Sequence, residues 1–263
     1  MQWVLFALML IIDPVLAADL DDERELAERL AERNGSEEVL KLEVSGIPFQ
    51  SLYRDSPAKK RRGGIILLHG RKSNQDAQAL IHPLRVGLPG HGWATLSVSL
   101  PAAETQAEIE NFSSLMPESV GRLRAAVSAL KQKEITDIAL LGHDSGAWIV
   151  LNYLIQQPDP AVRAVILLDP APVHGLIGFP VRLSRLSTLA IPILELLGHR
   201  QGLPADEEAR ERKTALKSVP DYRQVGVETP DGGWNDVEDY LVQRIHGWLN
   251  RMFARPKPVE AKP

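Results

Sequence analysis

The stretch LLGHDSGAW, Leu140 to Trp148, decides how this chain is read. An apolar run, Ile138–Leu141, leads into it, and an apolar segment of helix length, AWIVLNYLI, leads out. Glycines at both ends of the five-residue turn Gly142–Gly146 let strand and helix approach closely, and they leave the middle side chain on a strained corner. That side chain is Asp144. Ser145 falls one residue later, as the first helical residue, where its N–H rather than its hydroxyl faces the corner. A carboxylate just before a helix also suits an ordinary N-cap. The turn therefore admits two readings, a corner that presents a nucleophile and a capped helix start.

Working outward, apolar runs at Ile65–Leu68, Ala94–Leu100, Ala164–Leu168 and Ile191–Leu196 repeat the texture of Ile138–Leu141. Continuous apolar runs bounded by Gly, Pro or Asp are how strands buried on both faces look. Helices are predicted over Gln75–Val86, Glu118–Gln132, Ala147–Gln156, Pro204–Lys217 and Asp236–Met252, with a last strand near Tyr222–Val227. Upstream, EVLKLEV and PFQSLYRD read as a hairpin turning at Gly46. A hairpin followed by repeated strand–helix units predicts an α/β fold, a parallel-rich, doubly wound sheet with helices on both faces.

Ligands of such sheets bind at the carboxyl ends of the strands, and three of those ends carry polar side chains. Ile65–Leu68 ends in His69-Gly70-Arg71, a glycine turn that can aim backbone N–H groups at an oxyanion or be a plain tight turn. Asp169 follows Ala164–Leu168 directly and precedes a proline, a place for a catalytic acid or a turn cap. Glu195, near the end of Ile191–Leu196, suits a triad acid or a buried structural carboxylate. His199 lies just beyond it, in a loop.

The pieces LLHGRKSN, LLGHDSGAWIVLNYL, VILLDPAP, IPILELLG and VEDYLVQRIHGWL together resemble the α/β-hydrolase superfamily, and within it a family of exported, uncharacterised bacterial members. The similarity runs from about Val39 to Phe253. It implies an eight-stranded, mostly parallel sheet and a small cap over 172–191. It also implies an oxyanion hole from the backbone after His69-Gly70, at Arg71, and from Ser145 N–H. Asp144 at the nucleophile position is similar to epoxide hydrolases and haloalkane dehalogenases, whose aspartate attacks carbon to form an ester. Those enzymes commonly carry tryptophan where this chain has Ser145. The superfamily places its general-base histidine in the loop after the last strand. Here that loop, Val227 to Tyr240, contains none. His174, in the cap, is the replacement base considered; His246 lies inside the final helix among apolar neighbours, and His143 belongs to the corner itself.

Two functions follow as expectations. One is an exported hydrolase acting on a small ester, epoxide or halide through Asp144, with Asp169, Glu195 or His174 assisting. The other is a non-catalytic ligand-binding or interaction protein of the cell envelope. No cofactor is expected, since nucleotide loops, paired zinc-spaced histidines and calcium loops are missing from the sequence.

The 263 residues suit one such domain, with 44% hydrophobic residues to fill its core. A net charge of −4 argues against nucleic acid as a partner, because phosphate binding needs a basic face. The one basic run, Lys59–Arg62, reads as a solvated loop. The chain has no cysteine, which excludes thiol nucleophiles, cysteine metal sites and disulfides. At the N-terminus, the apolar run WVLFALMLII (Trp3–Ile12) precedes Val15-Leu16-Ala17-Ala18, the pattern of a secretory leader cleaved after Ala17. The run is short of the roughly 20 residues that span a bilayer. Residues 1–17 are thus expected to be a signal peptide, leaving no integral span, and the mature protein to be periplasmic. An amphipathic helix is expected between Asp19 and Gly35, and a disordered tail over 254–263.

Overall fold

The computed structural model describes residues 39–71, 73–101, 112–156, 158–172, 183–199, 207–229 and 233–256. The expected leader, the helix after it, His174, most of the cap and the last seven residues lie outside these.

An antiparallel hairpin, β1 (Val39–Val44) and β2 (Ile47–Arg54), opens the sheet. Then come β3 (Gly63–Leu68), α1 (Ile81–Gly87), β4 (Trp93–Val98), α2 (Phe112–Gln132), β5 (Ile138–His143), α3 (Ser145–Leu154) and β6 (Val162–Leu168). A short helix, α4 (Leu183–Leu186), precedes β7 (Ile193–His199), α5 (Glu207–Leu216), β8 (Arg223–Glu228) and α6 (Glu238–Phe253). The eight strands lie in the order β1-β2-β4-β3-β5-β6-β7-β8, antiparallel at β1–β2–β4 and parallel from β4 onward.

The pleat sorts the apolar runs into two cores. Ile66, Leu68, Leu140 and Leu167 face α2 and α3, while Ile65, Leu67, Leu141 and Ile166 face α1 and α6. Both faces are covered, which is why these strands carry no polar alternation. No helix among the described residues is long and apolar enough to cross a membrane.

Three expected elements are corrected. The helix predicted from Glu118 begins at Phe112 and carries Pro117 in its first turns, where few backbone N–H groups are yet bonded within the helix. The helix predicted from Gln75 begins only at Ile81, because side chains in 74–78 make local bonds that compete with it. Asn74 Oδ1 accepts from Asp76 N–H at 2.9 Å, and Gln78 Nε2 donates to Asp76 O at 2.8 Å. The buried Asp76 carboxylate meanwhile holds His82 and Arg85. The strand predicted to end at Leu196 continues to His199, so Glu195 stands inside the sheet rather than at its end. The basic run is also only partly solvated. Arg61 forks onto Asp55 and reaches Lys133 O, and the Arg62 side chain packs against Gly92.

Candidate functional site

β5 enters the corner and α3 leaves it, with Ser145 as the first helical residue. Asp144, between them, has φ 51° and ψ −116°, a conformation that non-glycine residues hold only under constraint. Its side chain makes no capping hydrogen bond to the second or third N–H of α3 and lies only near that of Ser145, so the plain helix-cap reading fails. The constraint is lateral. Asp144 N–H donates to Leu168 O at 3.0 Å, and Asp144 O accepts from Ala171 N–H at 3.2 Å, lacing the corner to the exit of β6. Gly146 lets the helix start press against β3, for a Cβ there would lie 2.6 Å from Leu68 O and His69 O.

The carboxylate at the apex is fully engaged. Arg71 N–H donates to Asp144 Oδ2 at 2.8 Å, Arg71 Nε to the same oxygen at 3.2 Å, and Arg71 Nη2 to Oδ1 at 3.1 Å. Gly70 makes this approach possible, since a Cβ on it would stand 2.6 Å from Asp144 Cβ. Burial acts to raise the Asp144 pKa. The Arg71 bonds and charge, with help from Ser145 N–H, outweigh it and hold the carboxyl below the usual range. The backbone N–H groups expected to stabilise a substrate oxyanion thus face the protein's own carboxylate.

His69 braces the loop from beneath. Its Nε2 accepts from Leu100 N–H at 3.2 Å, so the proton sits on Nδ1, which donates to Gly70 O at 2.8 Å. Both nitrogens are used in the neutral form, and burial above all pushes its pKa down to about 4. His69 is a neutral strut beneath the Gly70-Arg71 loop. Burial lowers the pKa of His143 as well, against the pull of the Asp144 charge.

Asp169 terminates β6 beside the corner, itself at φ 38°. Asp169 Oδ1 accepts from Gly198 N–H at 2.8 Å. Burial, the largest influence, pushes its pKa up to about 7, although Gly198 N–H, the Trp234 indole and the Arg212 charge all favour ionisation. Trp234 stands in the loop after β8, where the resemblance calls for the base histidine. It is buried against Asp169, and its N–H meets no full hydrogen-bonding partner. An indole N–H can donate but never take a proton.

The raised pKa of Asp169 fixes a pH dependence. Below its unfolded value of 3.8 the group is protonated in both states. As pH rises through about 7 the unfolded chain has already ionised while the native carboxyl holds its proton, so stability is progressively lost. Asp169→Asn, which keeps the acceptor for Gly198, is therefore expected to stabilise the protein at pH 8 by about 2 kcal/mol relative to its effect at pH 4, after allowance for partial solvent contact. Urea unfolding at the two pH values measures this; an equal effect at both would contradict it.

The remaining candidates fall away from the corner. Glu195 is fully buried and bound by Arg212 Nε at 2.8 Å, Tyr222 Oη at 2.5 Å and Gln224 Nε2 at 3.1 Å. It is a fully buried carboxylate whose oxygens are taken by these three donors. His246 accepts from Trp93 Nε1–H at 3.2 Å and stacks on His91 at 4.6 Å, next to the amino end of β4 and away from the site. The His199 ring lies on Gly226 of β8. Among the described residues, no histidine hydrogen-bonds to Asp144, and no group of three His, Asp or Glu could hold a metal ion.

The family model described as "Protein of unknown function (DUF3530)" matches residues 12–121 and 115–251. The chain belongs to this family. No curated protein matches it in sequence. Among solved structures, an esterase of Pyrococcus furiosus superposes with a TM-score of 0.64 at 15% identity, over 82% of this chain and 90% of that one. Est1E of Butyrivibrio proteoclasticus gives 0.63 at 14% identity, over 82% and 99%, and has also been solved with ferulic acid bound. A dienelactone hydrolase of Anabaena variabilis gives 0.60 at 15% identity, over 81% and 96%. At these identities the likeness establishes the α/β-hydrolase fold.

In this DUF3530 chain the fold puts Asp144 in contact with the Gly70-Arg71 loop, and Asp169 follows Leu168, whose carbonyl accepts from Asp144 N–H. Two side chains of the site have roles the sequence does not make plain. Arg71 was read for its backbone alone, although an arginine next to a glycine turn facing an acidic corner was a signal. Trp234 carries no such signal, because an indole neither titrates nor attacks.

Proposed function

We propose that this protein is an exported, periplasmic DUF3530 member that uses the α/β-hydrolase pocket to bind a small molecule without turning it over. The observation that carries this reading is that Arg71 engages both oxygens of Asp144, including the one an attacking nucleophile needs free. Its fork and backbone N–H fill the place where a substrate oxygen would be stabilised. The tryptophan in the loop after β8 supports the same conclusion, since an ester intermediate is released only by activated water and general-base help contributes roughly 10²–10⁴-fold. The leader-like N-terminus supports export. The esterase and dienelactone hydrolase neighbours suggest an ester or its acid as the ligand class.

A second reading, slow hydrolysis of a small ester, epoxide or halide, is favoured by one observation. Asp169, with a pKa of about 7 beside the corner, has the proton affinity of a general base at neutral pH. Incubating the mature protein with short acyl esters, epoxides and haloalkanes, and following both intact mass and product, separates the two. The expected result is unchanged mass and no product. Turnover that disappears in Asp144→Asn would establish the hydrolase.

A further inference from the structure

β1 forms one edge of the sheet, and the hairpin turn fixes which backbone groups it presents. Ser45 and Gly46 have φ 52° and 83°, the positive pair of a type I′ two-residue turn, so Val44 and Ile47 close it as a hydrogen-bonded pair. Bonding alternates from there along the antiparallel ladder. Leu42 and Leu40 therefore bond to Phe49 and Ser51 of β2, while Val39, Lys41 and Glu43 turn their N–H and C=O groups outward. No strand among the described residues meets them there. Pro48, opposite Glu43, agrees with this phase, since it has no N–H to give. The side chains follow the same rhythm. Leu40, Leu42 and Val44 pack, partly buried, on the core face, where Val44 lies against Gly121 of α2. Lys41 and Glu43 are exposed on the opposite face.

We infer that the protein forms a two-fold symmetric dimer through β1, with Leu42 on the axis and the two sheets joined into one. An open edge is a template for another strand, and like charges along it would repel a second copy. Here the charges complement each other instead. An antiparallel copy centred on Leu42 sets Lys41 opposite Glu43 of that copy, and Glu43 opposite its Lys41, with outward N–H and C=O groups meeting in both pairs. Leu42 then meets Leu42, and Leu40 meets Val44, so the apolar row above α2 runs on across the junction. Centring on Lys41 would oppose lysine to lysine, and centring on Glu43 would oppose glutamate to glutamate, both of which destabilise. Charge thus selects one register. The other edge, β8, has no such match. Its charged residues, Arg223 and Glu228, stand an odd number of positions apart, so their side chains leave on opposite faces and cannot oppose each other in an antiparallel copy.

The test is sedimentation velocity of the full mature protein over a concentration series. Wild type is expected to move from the monomer towards twice its mass as concentration rises. Lys41→Glu and Glu43→Lys each turn both cross-strand ion pairs into like-charge pairs, and each should weaken the dimer at least about tenfold. Lys41→Glu/Glu43→Lys in one chain restores complementary pairs and should dimerise as wild type does. An equimolar mixture of the two single variants should likewise form a mixed dimer that neither forms alone. Both side chains are exposed, so these variants keep the monomer fold, which circular dichroism checks. Lys41→Pro removes an outward N–H without touching a bond to β2, and should weaken the dimer as well. If Lys41→Pro unfolds, the charge variants decide alone. A wild type that stays monomeric throughout overturns the proposal. A dimer indifferent to the charge reversals is joined elsewhere and overturns it too, as does loss of the dimer in the single variants with no rescue in the double variant or the mixture.

Discussion

Replacing Arg212 by methionine is expected to lower the free energy of unfolding by about 3–5 kcal/mol, the range for breaking a buried ion pair on one side. Arg212 and Glu195 have side-chain exposures of 3% and 0%, and they join α5 to the middle of β7. The guanidinium leaves Glu195 with Tyr222 Oη and Gln224 Nε2 as its only other described partners, too few for a carboxylate removed from water. Gln224 lies in the edge strand β8 and Tyr222 directly precedes it, so the loss would loosen the docking of α5 and β8 together. Glu195→Leu combined with Arg212→Met should cost clearly less than Arg212→Met alone, because no charge is then stranded. Urea unfolding of the four proteins in a double-mutant cycle measures the coupling. A loss below about 1 kcal/mol for Arg212→Met would show that water reaches Glu195 in the native state.

This carboxylate also shows where sequence reading reaches its limit. The buried strands were legible because each is a run of apolar residues with a breaker at its end, and that pattern depends on nothing distant. The corner was legible for the same reason, since Gly142, Asp144 and Gly146 form one contiguous turn. Glu195 could not be assigned, because its role depends on Arg212, 17 residues away, and on Tyr222, 27 residues away. Polar side chains are interpreted by their partners, and partners are set by tertiary structure. The engagement of Asp144 by Arg71 spans 73 residues and was invisible for the same reason. The start of α1 differs from its expected place because Asn74 and Asp76 satisfy backbone and side-chain groups locally, a competition that apolar periodicity does not record.

Asp144→Ser combined with Trp234→His is expected to create an esterase. The first change removes the anion that occupies the oxyanion donors and puts a hydroxyl on the strained corner. Arg71 N–H and Ser145 N–H then become free to stabilise a substrate oxyanion. The second change places an imidazole in the loop after β8, against Asp169, whose carboxylate can orient the ring and stabilise its protonated form. Neither single variant supplies both nucleophile and base, so hydrolysis of p-nitrophenyl acetate by the double variant should exceed either by about 10²–10⁴-fold, the usual contribution of a positioned base. The rate should climb between about pH 5 and 8 as Asp169, whose pKa is about 7, and the imidazole lose their protons. Adding Asp169→Asn should reverse most of the gain, which identifies Asp169 as the orienting acid rather than a bystander. A folded double variant no faster than Asp144→Ser would mean that residue 234 does not reach the corner. In that case the site would be missing its base in space as well as in sequence, and the distance between Asp169 and a working triad would be one of architecture rather than of two side chains.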